Sequence, residues 1–322
     1  MAAEAQAAWG MEDKQSRIME RNANMKINRR DFLKLAGYGS AIFLSGFAGS
    51  GRWAEAADGD GFLFVQLSDT HWGFTGPAIN PDSAGTLKKA IAAVNDLAMQ
   101  PDFIMFTGDL THTTDDDKER RKRLTEVKGI TGALKVKTLR YMPGEHDASL
   151  DEGAAFKEVF GPTHYAFDHK GVHFIVIDNV SDPTGSIGDA QLQWLAADLS
   201  KQDKNARIVV FTHRPLFDLA PDWDWHTRDG AKALELLMPY ANVIVFYGHI
   251  HQENYRVTGH IAHHAAQGLM YPLPAPYSVP KKMPVPWDPA QPYKGLGFRS
   301  VDAKVSQAMY GLTEYGVKGE KR

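Results

Sequence analysis

The chain has 322 residues, 43% of them hydrophobic, enough to bury a sizeable core as one large domain or two ordinary ones. Thirty-six basic against 39 acidic residues leave a net charge of −3, which argues against a nucleic-acid footprint or a polybasic membrane patch and toward a small or weakly charged partner. There is no cysteine, so disulfides, thiolate ligands and a cysteine nucleophile are excluded, and any metal must be held by nitrogen and oxygen.

Near the N-terminus, Arg29-Arg30-Asp31-Phe32-Leu33-Lys34 is followed by a modestly apolar stretch, 35–49, and then by Ala54-Glu55-Ala56, an A-x-A-type cleavage pattern. The paired arginines with Phe-Leu-Lys resemble a bacterial twin-arginine (Tat) export signal, with Asn28 where such signals more often carry Ser or Thr. A stretch of about 15 residues broken by glycines falls short of the ~20 needed to span a bilayer, so no stable membrane span is expected in the mature chain. Residues 1–57 are therefore read as an N-terminal extension and signal peptide, with Met25 as an alternative start. That resemblance implies transport by the Tat translocase in the folded, cofactor-loaded state, and a periplasmic or secreted destination.

From 62 onward, apolar runs alternate with helical patterns. The spacing predicts strands at 62–68, 102–107, 138–142, 164–169, 172–178, 206–211 and 242–247. Helices are predicted near 84–99, 115–134 (charged and solvent-facing), 150–160, 187–200 and 228–239, followed after His251 mainly by strands and loops. The segment 271–293 holds eight prolines in 23 residues and reads as an extended surface crossing, either a plain connector or a lid. Beyond it, 297–303 and 307–315 read as a closing strand pair, and the interleaving without a linker predicts a single domain over 58–322.

Five short segments place metal-binding side chains in order: Asp69-Thr70-His71, Gly108-Asp109, Gly144-Glu145-His146-Asp147, Thr212-His213 and Gly248-His249-Ile250-His251. Each follows a run (FLFVQLS, FIMFT, TLRYMP, RIVVF, NVIVFY) that reads as a buried strand. Each would thus sit past a strand's carboxyl end, where open α/β sheets place ligands. Asp-x-His alone is equally a surface ion pair or a turn; the order and placement of the other segments point to a site for two metal ions. Gly108 lets the backbone turn sharply so that the Asp109 carboxylate can bridge two cations. Imidazole and carboxylate suit Fe, Mn or Zn.

Through these motifs, the stretch 62–251 resembles the calcineurin-like metallophosphoesterase superfamily, which includes bacterial cyclic-nucleotide phosphodiesterases and purple acid phosphatases. The resemblance extends to Tyr165-Ala166-Phe167-Asp168, His173-Phe174-Ile175-Val176-Ile177-Asp178 and Gln191-Leu192-Gln193-Trp194-Leu195. It implies an α/β fold, an αββα sandwich of two mixed β-sheets flanked by helices. It implies that Asp69, His71 and His251 hold one metal, His213, His249 and residue 145 the other, and that Asp109 bridges them. It further implies attack on phosphorus by a metal-bound hydroxide. His146 would contact the phosphate and protonate the leaving alkoxide, with Asp147 fixing its tautomer.

One position departs from the pattern: the family has Asn where this chain has Glu145, which adds a negative charge at the second metal. Glu145 is read as a working ligand; the competing readings are a carboxylate turned away, leaving one metal, or an inactive centre. His112 stands where purple acid phosphatases carry a tyrosine ligand, so tyrosinate coordination is not expected there, and His112 is read as a residue behind the ligands or at the surface. Trp225 and His226 lie in a loop after His213 that would overhang the metals and could stack on a substrate, or simply pack among themselves. His260, His263 and His264 imitate a second cluster but alternate as a strand would. The expected function is an exported dinuclear-metal hydrolase of small phosphomonoesters or phosphodiesters. The alternative is a catalytically impaired binding protein on the same fold.

Overall fold

The computed structural model describes residues 61–304 and 309–322. The extension and export signal expected at 1–57 lie outside the described residues. The elements, in chain order, are β1 (Phe62–Leu67), α1 (Thr86–Asn95), β2 (Phe103–Thr107), α2 (Asp117–Thr131), β3 (Leu139–Met142), α3 (Glu145–Ala148) and α4 (Ala154–Phe160). They continue with β4 (Tyr165–His169), β5 (Val172–Val176), α5 (Asp189–Leu199), β6 (Arg207–Phe211), α6 (Gly230–Leu237), β7 (Asn242–Tyr247), β8 (Asn254–Thr258), β9 (Ile261–Ala265), β10 (Gly297–Lys304) and β11 (Met309–Gly316).

The strands form a five-stranded sheet in the order β11-β10-β1-β2-β3 and a six-stranded sheet in the order β4-β5-β6-β7-β9-β8. β1, β2 and β3 are parallel, as are β5, β6, β7 and β9, while β10, β11, β4 and β8 run antiparallel to their neighbours. Both sheets are therefore mixed, as expected. The period of two along each strand sorts side chains between two apolar layers. Phe62, Phe64, Phe103, Met105, Phe174, Val209, Phe211, Ile244 and Phe246 fill the space between the sheets. Val65, Leu67, Ile104 and Phe106 face outward against α1, α2 and α4. Ile208, Val210, Val243 and Val245 face outward against α5 and α6.

At the centre of the inner layer Phe64 stacks on Phe103, with ring centroids 5.1 Å apart, and meets Phe211 and Phe246 of the opposite sheet edge-on at 5.7 and 5.6 Å. Those offset and edge-on arrangements are the favoured ones for aromatic quadrupoles. Above them, Gln66 is buried between the sheets, and its Nε2 donates to Thr107 Oγ1 (3.1 Å) and to the Tyr247 carbonyl (3.2 Å). A polar bridge thus closes the apolar layer just below the strand ends.

The charged segment predicted at 115–134 is α2, capped by Asp116, whose side chain accepts from Lys118 N and Glu119 N. Arg120, Leu124, Val127 and Thr131 turn its one buried face to the sheet. One expectation needs correction. β3 is not a buried strand but a sheet edge, with Leu139, Arg140 and Tyr141 only half-buried, because nothing pairs beyond it in its sheet among the described residues. After it, residues 145–148 form the one-turn helix α3, too short for any apolar period to reveal. Among the described residues no helix is long and apolar enough to cross a membrane.

Because Phe64 is the ring on which both sheets converge, Phe64→Ala should lower unfolding free energy by about 3–5 kcal/mol, read from the denaturant midpoint at unchanged slope. A loss below ~1 kcal/mol would show that this contact is not what holds the sheets together.

Candidate metal centre

The parallel strands of both sheets end at the same edge of the sandwich. Asp69 and His71 follow β1, Asp109 follows β2, Glu145 follows β3, His213 follows β6, and His249 and His251 follow β7. Asp69, His71, Asp109, His249 and His251 all have positive φ, between 39° and 65°. Non-glycine residues seldom adopt that region, and such strain collects where side chains must be aimed at one point. Gly108, at φ +93°, leaves room for the His213 ring, since a Cβ there would lie 2.3 Å from Nδ1. A Cβ on Gly144 would lie 2.0 Å from Asp109 Oδ1, so the approach of α3 to Asp109 requires glycine.

The seven residues fall into two groups, Asp69, His71, Asp109 and His251, and Asp109, Glu145, His213 and His249, each with its ligand atoms within 4.8 Å of one another. In the first, His71 Nε2 lies 3.1 Å from His251 Nε2 and 3.5 Å from Asp109 Oδ2, and His251 Nε2 lies 3.2 Å from Asp69 Oδ1. In the second, His213 Nε2 lies 3.4 Å from the same Asp109 Oδ2 and 3.0 Å from Glu145 Oε2, while Glu145 Oε1 lies 2.9 Å from His249 Nδ1. Bonds of about 2.0–2.2 Å to a cation put neighbouring ligand atoms roughly 3.0–3.5 Å apart, which is this spacing. Asp69 Oδ2, Glu145 Oε2, His213 Nε2 and His249 Nδ1 are moreover buried without a hydrogen-bond partner. The residues present fit two cations, with Asp109 shared. Glu145 points into the second group rather than away from it.

Three imidazoles have their tautomer fixed by backbone carbonyls, which can only accept. His213 Nδ1 donates to Thr107 O (2.6 Å), His251 Nδ1 to Tyr271 O (2.6 Å) and His249 Nε2 to Asp224 O (2.9 Å). In each ring the other nitrogen is left facing the ligand group. The charges settle among themselves in the absence of a cation. Burial opposes ionisation of Glu145, but His249 and His213 hold its carboxyl well below the usual range; Asp109 is likewise held low, against burial and Glu145, by His213, His146 and His71. Burial also opposes protonation of His213 and His251, but Asp109 and Glu145 raise the first well above its ordinary value and Asp69 raises the second. Burial wins at His71 and His249, both lowered.

His146 stands between the groups with Nε2 4.0 Å from Asp109 Oδ2. Its expected orienting partner does not reach it. Asp147 Oδ1 accepts from Thr111 N and Oγ1 (2.8 Å each), and Oδ2 from Leu110 N and Gly144 N (2.9 Å each). Four donors consume the Asp147 carboxylate, so it clamps the loop after β2 to the loop after β3. The His146 tautomer is set instead by Thr113, whose amide donates to Nδ1 at 3.1 Å and whose hydroxyl lies 2.5 Å from it. A proton is therefore left on Nε2, the nitrogen facing the centre.

Trp225 is fully buried and packs edge-on against Trp223 at 5.1 Å, within a cluster that includes Phe217, Tyr247 and Ile250, so it is core and not a substrate platform. His226 is half-buried, and its Nδ1 has no hydrogen-bond partner among the described residues. What the loop does bring to the centre is the Asp224 carbonyl. His112 stacks on His146 at 5.0 Å and meets His71 edge-on at 5.5 Å, behind the ligands. His263 and His264 project to opposite faces of β9, His263 against Phe217 and His264 against Phe246, so they form no cluster. Sequence reasoning missed Arg214 and Tyr271. Arg214 is buried beside Glu145, and Tyr271 stacks on His251 and His71 at 4.6 and 5.0 Å. Only the adjacency of Arg214 to His213 was available as a signal.

The Calcineurin-like phosphoesterase family model matches residues 62–253. The human serine/threonine-protein phosphatase CPPED1 is 29% identical over 182 residues, 51% of this chain and 58% of that protein, so the chain spans little more than half of this relative's length. A probable cyclic nucleotide phosphodiesterase of Rhodococcus erythropolis is 26% identical over 59% of this chain and 64% of its own. The crystal structure of a dimetal phosphatase from Danio rerio superposes with a TM-score of 0.57 over 81% of this chain and 98% of that one, at 14% identity, a likeness of fold.

Asp109 and Glu145 favour the protonated form of His213, and Asp69 that of His251, so cations entering the two groups compete with protons, and metal binding should release protons and weaken as pH falls. Calorimetric titration in buffers of different ionisation enthalpy reads this directly; binding without proton exchange would contradict the assignment. For Asp147, replacement by Asn turns an N–H toward buried donors and should lower stability by about 2–4 kcal/mol. Unaltered stability with a loss confined to esters of poor leaving groups would restore Asp147 to proton handling.

Proposed function

The chain belongs to the calcineurin-like phosphoesterase family, and from that premise we propose that it is an exported, dinuclear-metal hydrolase of small-molecule phosphoesters. The observation that carries the reading is the single oxygen Asp109 Oδ2, 3.5 Å from His71 Nε2 and 3.4 Å from His213 Nε2, which joins two ligand groups into one centre. Two cations held there supply Lewis acidity toward phosphoryl oxygens and lower the pKa of bound water to about 7. Fe, Mn or Zn suit these nitrogen and oxygen donors.

The chain's own residues supply position and protons. Asp69, His71 and His251 form one end of the centre and Glu145, His213 and His249 the other, each aimed by the carbonyls and strained turns described above. His146, with its proton on Nε2, offers a hydrogen bond to the phosphoryl group and to the negative charge that grows on the departing oxygen. Export is supported by the twin-arginine pattern at Arg29-Arg30 and the A-x-A pattern at 54–56, which make 1–57 a removable leader and 58–322 the working domain, in the periplasm or outside the cell. The names of the human phosphatase and the Rhodococcus phosphodiesterase both support phosphoester hydrolysis.

Mature protein purified from an exporting host should contain close to two equivalents of transition metal and hydrolyse p-nitrophenyl phosphate or bis-p-nitrophenyl phosphate. Protein with no stoichiometric metal and no turnover of either ester would instead be a binding protein on this fold. Glu145→Asn should keep both metals and shift rate or metal preference, and loss of all metal would contradict its place as a replaceable ligand. His146→Ala should slow esters of poor leaving groups more than activated ones; equal slowing would remove it from the leaving-group side.

A further inference from the structure

Around the centre, five buried atoms lack hydrogen-bond partners: Asp69 Oδ2, Glu145 Oε2, His213 Nε2, His249 Nδ1 and Arg214 Nε. The first four offer lone pairs, and a cation answers them. The fifth is different in kind. Arg214 Nε carries a hydrogen and a share of positive charge, so it cannot ligate a metal and is satisfied by a hydrogen-bond acceptor, best an anionic oxygen.

Among the described residues nothing supplies that acceptor. The Arg214 side chain is 8% exposed, and its Nε lies 3.9 Å from Glu145 Oε2, beyond hydrogen-bond reach. It is nevertheless held firmly. Nη1 donates to Asp224 Oδ1 at 2.6 Å, and Asn179 grips the backbone on both sides, accepting from His213 N and Arg214 N and donating to the Arg214 carbonyl. A fixed, buried guanidinium with one unpartnered N–H beside the second ligand group offers a charge-assisted hydrogen bond to an oxyanion.

We propose that Arg214 receives a non-bridging phosphoryl oxygen and thereby makes the centre select phosphomonoesters over phosphodiesters. The proposal rests on the hydrolase reading above and names its substrate class. A monoester carries three non-bridging oxygens and, near neutrality, nearly two negative charges; a diester carries two such oxygens and one charge. With one oxygen drawn toward each cation, only the monoester has another to give to Arg214. Its second charge is also the one that a further cation favours. A diester leaves the Nε–H facing an esterified oxygen, a poorer acceptor.

The test compares wild type with Arg214→Met, both metal-loaded, on p-nitrophenyl phosphate and bis-p-nitrophenyl phosphate, which share a leaving group. A charge-assisted hydrogen bond is worth about 10- to 100-fold, so kcat/KM for the monoester should fall by roughly that factor more than kcat/KM for the diester. Inorganic phosphate, titrated by calorimetry into the same proteins, should bind more weakly by a similar factor while metal content stays at the wild-type level. Asp224→Asn, which loosens the guanidinium without removing it, should shift both readouts in the same direction by less, and covers the case in which Arg214→Met does not fold. Equal losses on the two esters, unchanged phosphate affinity, or loss of metal along with activity would overturn the proposal. If wild type turns over neither ester, the hydrolase reading fails by itself, and the phosphate titration still decides whether Arg214 binds the oxyanion.

Discussion

Three carboxylates, Asp69, Asp109 and Glu145, are gathered at one edge of the sandwich, the first two fully buried and the third 18% exposed. Charges of one sign out of water are unfavourable unless they are answered by opposite charge and by hydrogen bonds. Much of the architecture around them is such an answer. The carboxylates raise the proton affinity of His213 and His251, backbone amides of His146 and His249 donate to Asp109 and Asp69, and Arg214 lies behind Glu145. The strained turns at the strand ends aim Asp69 and Asp109, with three of the imidazoles, at one region.

Glu145 shows how a change of one ligand spreads to its surroundings. A carboxylate there contacts His213 with one oxygen and His249 with the other, whereas a neutral amide would bring a single acceptor and no charge. The added charge sits closest to Arg214, which Asp224 and Asn179 hold in place. The second group is therefore better described as a ligand set with a built-in counter-cation than as a ligand set with one substitution.

The sandwich was largely legible in the sequence because its strands are short apolar runs, each followed by a polar turn, and its helices carry an apolar stripe. The ligands were legible for a related reason: a side chain just past a strand has its position dictated by the strand. What could not be read were contacts between segments far apart in the chain. Asp147 adjoins His146 in sequence, yet the turn of α3 sends its carboxylate back to Leu110 and Thr111, and Thr113 takes the orienting role. For Trp225 two readings stood open, stacking on a substrate or packing among the loop's own aromatics, and only the assembled fold shows Trp223, Phe217 and Ile250 closing around it. Arg214 and Tyr271 escaped notice because neither belongs to a local pattern; only the assembled sheets bring one beside Glu145 and the other against His251.

The carbonyls that orient the imidazoles have a consequence for the order in which the protein becomes competent. Thr107, from the first sheet, fixes His213 of the second; Asp224, from a loop, fixes His249; and Tyr271, from the proline-rich crossing, fixes His251. No nascent fragment ending before residue 271 contains all three acceptors. The geometry of the centre therefore requires sequence-distant parts of the chain to have met. A cation bound by both groups would stabilise the assembled fold over any partly folded form in which one of these contacts is missing.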